Sequence, residues 1–157
     1  MARRVFFSFH FERDVWRANQ VRNSWVTQDT AGYVDAATFE EVKKKGEANV
    51  KRWIDDQLIG TSVTIILIGN ETSSRPYVQY EIDQSIRKGN GFVGIYIHNL
   101  KNHEQKTDYI GTNPLDNFRN AAGTPLSSIY KTYFWDFNDG YHNLGTWVEQ
   151  AAQIAGK

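Results

Sequence analysis

Short apolar runs alternate with segments of helical periodicity along most of this chain. Residues 5–9 and 62–68 are nearly continuous apolar runs, as expected for strands buried on both faces of a parallel sheet. After the second run, Val78, Ile82 and Ile86 recur at helical spacing and would form one buried helix face. Because parallel strands need crossover connections, this order predicts an α/β protein.

Five strands and four helices are predicted. The strands are 5–9, 32–36, 62–68, 92–97 and 131–135, and the helices cover roughly 14–26, 50–58, 76–88 and 144–155. Right-handed crossovers would give a five-stranded parallel sheet with helices on both faces, the three-layer architecture called flavodoxin-like. Residues 99–129 show no such pattern, so we expect an irregular insertion there that is functional or contains short helices.

The composition limits the class of protein. A chain of 157 residues that is 40% hydrophobic suits a single domain, 1–157, with a sizeable core. Its 18 basic and 18 acidic residues cancel, which gives no bulk attraction to nucleic acid or to an anionic membrane. It has no cysteine, and therefore no disulfide, thiolate metal site or cysteine nucleophile. Without a signal peptide or a membrane-spanning apolar stretch, we expect a cytoplasmic protein.

Glu81 is the strongest candidate for chemistry. It lies early in the predicted helix that follows the 62–68 strand, near the carboxyl edge of the sheet, where open α/β proteins bind ligands. It comes three residues after Val78, so it flanks the buried helix face and could reach a cleft. The alternative interpretation is a solvated glutamate on the helix surface. Its position alone does not decide between the two.

Other candidates lie at the same edge. The Ser8 hydroxyl and nearby backbone N–H groups could hold phosphate or ribose, and Phe9 could stack on a base. Phe9 could equally be a core residue, and His10 a residue at the entry of the helix. Asp35 ends the second predicted strand, where it could bind a ribose hydroxyl or cap a turn. The four histidines have no metal-ligand spacing, so no metal is expected.

The ordered set of segments resembles TIR domains. Residues 5–10, with Asp14, are similar to their opening strand and loop, in which an aromatic-rich strand ends in a serine. Residues 76–82, with the sequence PYVQYEI, resemble the segment that carries their NAD-cleaving glutamate. Together with residues 21–26 and 127–130, the pattern is most similar to the TIR-like proteins of the bacterial Thoeris anti-phage system.

The resemblance implies an enzyme acting on the N-glycosidic bond of NAD, a glycohydrolase or ADP-ribosyl cyclase. NAD would be its substrate, and no cofactor is implied. Its product would be a cyclic ADP-ribose isomer that activates a separate NAD-consuming effector after infection, with a phage component as a candidate trigger and a homo-oligomer as a candidate assembly. Glu81 would be catalytic, and the substrate would contact Phe7, Ser8, Phe9, His10, Asp35 and Tyr77.

This chemistry needs few protein groups. Nicotinamide leaves cationic NAD as a neutral molecule, so one carboxylate beside the developing oxocarbenium ion can suffice. Two other functions remain open: a TIR scaffold that signals by self-association without catalysis, and a nucleoside deoxyribosyltransferase-like enzyme, which also uses a glutamate. A receiver domain is disfavoured, because Ile68, Gly69 and Asn70 stand where its phosphorylatable aspartate would be.

Overall fold

A parallel sheet between helices forms the centre of the protein. The computed structural model describes residues 3–25, 30–31 and 41–157. The strands are β1 (Val5–Ser8), β2 (Thr30–Ala31), β3 (Val63–Ile68), β4 (Gly91–Tyr96) and β5 (Thr132–Phe134). The helices named here are α1 (Phe11–Asn23), α2 (Glu47–Leu58), α3 (Pro76–Lys88) and α4 (Gly140–Ile154). None of the described helices is both long enough and apolar enough to cross a membrane.

The strand order is β2-β1-β3-β4-β5, and every neighbouring pair is parallel. This is the order of flavodoxin-like sheets, in which the crossovers diverge between β1 and β3 and leave a crevice at the carboxyl ends of these strands. The predicted α/β class, with a parallel sheet flanked by helices, is confirmed. The sheet order thus places a crevice where β1 and β3 end.

Four of the predicted strands, now β1, β3, β4 and β5, lie within one residue of their predicted ends. The predicted strand 32–36 falls outside the described residues. The pairing beside β1 is instead made by the two residues of β2, Thr30 and Ala31, so only the other four strands have three or more residues. Helices α1, α2 and α4 begin several residues before their predicted starts, because their first turns are polar and lack an apolar period.

The buried apolar side chains form a larger and a smaller core, and successive side chains of a strand point to opposite faces of the sheet. Phe7 belongs to the larger core, with Ala18 of α1 and Leu144 of α4. Phe6 belongs to the smaller core, with Ile54 and its neighbours on α2. Adjacent phenylalanines of β1 therefore stabilise opposite faces of the sheet.

Arg17 of α1 anchors the start of the irregular segment that follows β4. Its guanidinium donates to the backbone oxygens of Leu100 at 2.8 Å and Lys106 at 3.0 Å, and it pairs with Asp14 at 2.9 Å. Both charged side chains are fully buried, and burial is the main cause that raises the pKa of Asp14. Further along, the segment contains two short 3-10 helices, Pro114–Asn117 and Leu126–Ser128. The stretch without a sequence pattern therefore does contain short helices.

The close approach of α4 to β4 predicts an effect on stability. A Cβ atom on Gly91 would lie 2.3 Å from the backbone oxygen of Ala151, so Gly91→Ala must push α4 away from the sheet. We expect it to lower the free energy of unfolding by about 1–3 kcal/mol. The control is Gly145→Ala in α4, whose Cβ would meet nothing closer than 4.0 Å and should be neutral or stabilise by about 0.5–1 kcal/mol. Urea unfolding measures both, and equal midpoints would contradict the predicted contact.

Candidate active site

Helix α3 directs Glu81 toward the sheet. Pro76 occupies the first turn, as predicted, and Gly89 ends the helix in the left-handed conformation with φ of 83°. Val78 and Ile82 are buried on the face that packs inward, and Glu81 is buried between them. Only 8% of the Glu81 surface is exposed, so the interpretation as a solvated helix glutamate is wrong.

Ser8 is the hydrogen-bond partner of the Glu81 side chain. The hydroxyl at the end of β1 donates to Glu81 Oε1 at 2.6 Å, and both residues are buried. Burial raises the pKa of Glu81 to about 8, and the bond from Ser8 acts in the opposite direction by stabilising the carboxylate. At neutral pH the Glu81 carboxyl group is therefore mostly protonated in the protein without a charged ligand.

A chain of buried polar groups holds the backbone of this helix turn. The Ser85 hydroxyl donates to the backbone oxygen of Glu81 at 2.7 Å and lies 2.7 Å from the Thr64 hydroxyl of β3. Asn90 in turn donates to Thr64 at 3.2 Å. Because each hydroxyl in the chain is satisfied by the next, the network links α3 to β3 and limits the freedom of Glu81.

A cavity of about 360 Å³ opens in front of Glu81. This volume lies within the usual range for small-molecule sites. The loop after β1, the start of α2 and the start of α3 supply its wall, and four of the side chains are aromatic: Phe9, Phe11, Trp53 and Tyr77. The cavity is at the carboxyl edge of the sheet, between the ends of β1 and β3, as the sheet order requires.

The structure brings most of the predicted site residues together. Phe9, His10, Tyr77 and Glu81 line the cavity. Ser8 lies behind Glu81 and reaches the site through their hydrogen bond.

Two predicted residues are not brought to the cavity. Phe7 is 1% exposed, packs in the larger core and does not line the cavity, because its side chain points away from the face on which Ser8 lies. Asp35 lies outside the described residues.

His10 is a neutral, buried wall of the cavity. Burial lowers its pKa most, and the positive charge of Arg75 lowers it further, so the imidazole is uncharged near pH 7. Nε2 lies 3.4 Å from Glu12 Oε2, and Nδ1 is buried without a hydrogen-bond partner among residues 3–25, 30–31 and 41–157. His10 can therefore offer a hydrogen bond to a ligand but not a charge.

Several residues of the cavity wall were not among the predicted site residues, and Phe11, Trp53 and Arg75 are three of them. Trp53 had a signal, because it widens the apolar stripe of α2 beyond what a helix needs to pack on a sheet. Arg75 directly precedes Pro76 and so lies at the start of α3. Its place beside the cavity follows only from the packing of α3 against the loop after β1.

Other places in the described part of the molecule are weaker candidates for an active site. A second cavity, of about 330 Å³, lies between β4, β5 and α4, and no carboxylate is among its lining residues. In the part of the chain that the structure describes, no three His, Asp or Glu side chains cluster closely enough to hold a metal ion. The cavity in front of Glu81 is therefore the candidate active site.

Comparison with known proteins identifies relatives of this chain. Residues 6–102 match the family described as "Thoeris protein ThsB, TIR-like domain". A protein of Bacillus cereus (strain MSX-D12), named "Putative cyclic ADP-D-ribose synthase ThsB1", is 35% identical over an alignment of 191 positions. That alignment covers 94% of this chain and 100% of the relative. Glu81 and the other residues that line its cavity all lie within the matched family region.

The burial of Glu81 predicts how stability depends on pH. The pKa of Glu81 is about 8 in the folded protein and near 4.5 in the unfolded chain, so the folded state binds more protons between these values. Its contribution to stability is complete below pH 4.5 and is lost as the pH rises through 8. In Glu81→Gln this loss is absent, and we expect the variant to gain roughly 3–5 kcal/mol relative to the parent between these pH values.

Urea unfolding at a series of pH values measures this difference. The control is Asp83→Asn, which removes a partly exposed carboxylate from the same helix, where it accepts from Arg87. This variant keeps Glu81, so its stability should still be lost as the pH rises through 8. A Glu81→Gln profile parallel to that of the parent would contradict the raised pKa.

Proposed function

Because this chain belongs to the ThsB family of TIR-like Thoeris proteins, we propose that it cleaves NAD and releases a cyclic form of ADP-ribose. The observation that carries this proposal is the buried Glu81 carboxyl group, hydrogen-bonded to Ser8 at the base of a cavity. The name of the Bacillus cereus relative supports the class of product. In this proposal the product activates a separate NAD-consuming effector, and a phage component triggers its synthesis.

The proposed reaction breaks the bond between ribose C1′ and the pyridinium nitrogen of NAD. Nicotinamide leaves as a neutral molecule with the bonding electron pair, and positive charge develops on C1′ and the ribose ring oxygen. The Glu81 carboxylate stabilises this charge. A nitrogen or hydroxyl of the same ADP-ribose unit then attacks C1′ and closes the ring, and an attacking hydroxyl gives its proton to solvent water. Attack by water instead gives linear ADP-ribose.

The burial of Glu81 suits a substrate whose departing ring is cationic. Without a ligand its pKa is about 8, and the neutral carboxyl group is no help to a cationic transition state. The pyridinium ring of NAD would bring a positive charge next to Glu81, and a nearby positive charge lowers the pKa of a carboxyl group. Substrate binding and formation of the active carboxylate are therefore coupled.

Tyr77 is placed to contact the ring that departs. It lies four residues before Glu81 on α3, so both side chains project from the same side of the helix. Its ring is half-buried and lines the cavity. In the proposed complex it packs on the nicotinamide ring while Glu81 faces the ribose.

The first test is loss of activity in Glu81→Gln. The amide keeps the size of the side chain but cannot stabilise the oxocarbenium ion as an anion, so the rate of NAD cleavage should fall by about 100-fold or more. The assay follows NAD loss and new ADP-ribose products, with purified protein and with lysate of phage-challenged cells that express it. Asp83→Asn is the control on the same helix.

The products distinguish this proposal from a scaffold. Product formation that persists in Glu81→Gln would remove Glu81 from the proposed role. Protection against phage that survives Glu81→Gln, with no new ADP-ribose product in any lysate, would favour a non-catalytic scaffold that acts by self-association.

The second test is the pH dependence of activity. The active form of Glu81 is the carboxylate, so kcat/KM should fall as the pH drops below about 8, the pKa in the free protein. The acid limb of kcat should lie at lower pH, because the bound pyridinium lowers this pKa. The interval from about pH 6 to about pH 9 includes this pKa, so a kcat/KM that is constant across it would contradict this role.

The third test isolates Ser8. Ser8→Ala removes the hydrogen bond that stabilises the Glu81 carboxylate, so the acid limb of kcat/KM should move up by about one pH unit. Exposed Ser128→Ala should leave the profile unchanged. If Ser8 contacts only the ribose, KM will rise and the limb will stay in place.

A further inference from the structure

Five charged side chains line the cavity in front of Glu81, and the structure compensates four of them. Lys43 Nζ donates to Glu12 Oε1 at 2.8 Å. Lys51 Nζ lies 3.1 Å from Glu47 Oε1, one helical turn away on α2. Glu81 is buried, accepts a hydrogen bond from Ser8 and is mostly protonated at pH 7. These groups leave the cavity with little net charge of their own.

Arg75 is the fifth of these side chains. It directly precedes α3, is half-buried and lines the cavity. Within residues 3–25, 30–31 and 41–157, its guanidinium makes no hydrogen bond and no ion pair. Its charge nevertheless acts inside the site, since it is the second cause, after burial, that lowers the pKa of His10. A half-buried cation without a counter-ion favours an anionic ligand.

We propose that Arg75 binds the diphosphate group of the dinucleotide substrate and forms an anion subsite beside Glu81. This subsite rests on NAD being the substrate. Its planar guanidinium can donate two parallel hydrogen bonds to phosphate oxygens, which a lysine cannot do. Arg75 is thus a binding residue that sets specificity for phosphorylated substrates.

The spacing of the two groups fits the order of charges in the substrate. Arg75 and Glu81 are six residues apart, which is about 9 Å along the axis of α3. In NAD, one ribose separates the cationic pyridinium from the anionic diphosphate. A substrate with its pyridinium next to Glu81 can therefore place its diphosphate at the start of α3, where Arg75 lies.

A binding experiment tests the subsite apart from cleavage. Isothermal titration calorimetry would measure NAD and nicotinamide riboside binding to the Glu81→Gln chain, with and without Arg75→Gln. We expect Arg75→Gln to weaken NAD binding by about tenfold or more and riboside binding by less than about twofold, because the riboside has no phosphate. Arg75→Lys should recover part of the NAD affinity, since it keeps the charge and loses the planar fork.

The matched control is Arg52→Gln, an exposed arginine of α2 that does not line the cavity. It should leave both affinities unchanged, and thermal unfolding of each variant checks that it folds like its parent. Equal losses for NAD and the riboside, or an unchanged NAD affinity, would overturn the subsite. So would a wild-type chain and a Glu81→Gln chain that both fail to bind NAD.

The outcome separates the subsite from the proposed activity. If NAD and ADP-ribose bind through Arg75 but the wild-type chain never cleaves NAD, the subsite stands and the proposed enzyme fails. If NAD is cleaved with Arg75→Gln at the wild-type KM, the enzyme stands and the subsite fails.

Discussion

The hydrogen bond between Ser8 and Glu81 joins the two parts of the chain on which the cavity depends. Ser8 ends β1 and Glu81 lies on α3, and 73 residues separate them in sequence. A carboxyl group inside a protein is tolerated only when it is neutral or hydrogen-bonded, and here it is both. The same burial that disfavours its charge leaves the carboxyl group at the wall of the cavity, where a ligand can reach it. The position of α3 against β1 therefore decides the chemistry of the site.

Much of the fold could be predicted from the sequence, because its signals are local. The β-branched run of β3 predicts a strand, and Pro76 and Gly89 predict where α3 begins and ends, without any knowledge of tertiary packing. The burial of Glu81 could not be predicted in this way. Its spacing from Val78 places it only at the border of the apolar face. How far its side chain is buried depends on how α2 and the loop after β1 pack around it.

Phe7 illustrates a second limit. In a strand that is buried on both faces, every residue is apolar, so the sequence does not distinguish one face from the other. Phe7 therefore fitted the candidate site as well as its neighbours did. Only the alternation of the observed strand, with Phe6 on the side of α2, places Phe7 in the other core. Conversely, the place of Arg75 at the cavity became evident only from the packing of three distant segments around it.

The anchoring of Leu100 and Lys106 by Arg17 has a consequence for how the surface of the protein opens. Loops of irregular structure are commonly the first places where proteases cut and amide hydrogens exchange. Here the backbone oxygens of the loop are bound by a fully buried side chain that is also paired with Asp14. Releasing the loop would leave the Nε and Nη2 donors of the buried Arg17 without these acceptors, which is more costly than breaking surface contacts. Residues 100–106 should therefore open with the core of α1 rather than ahead of it.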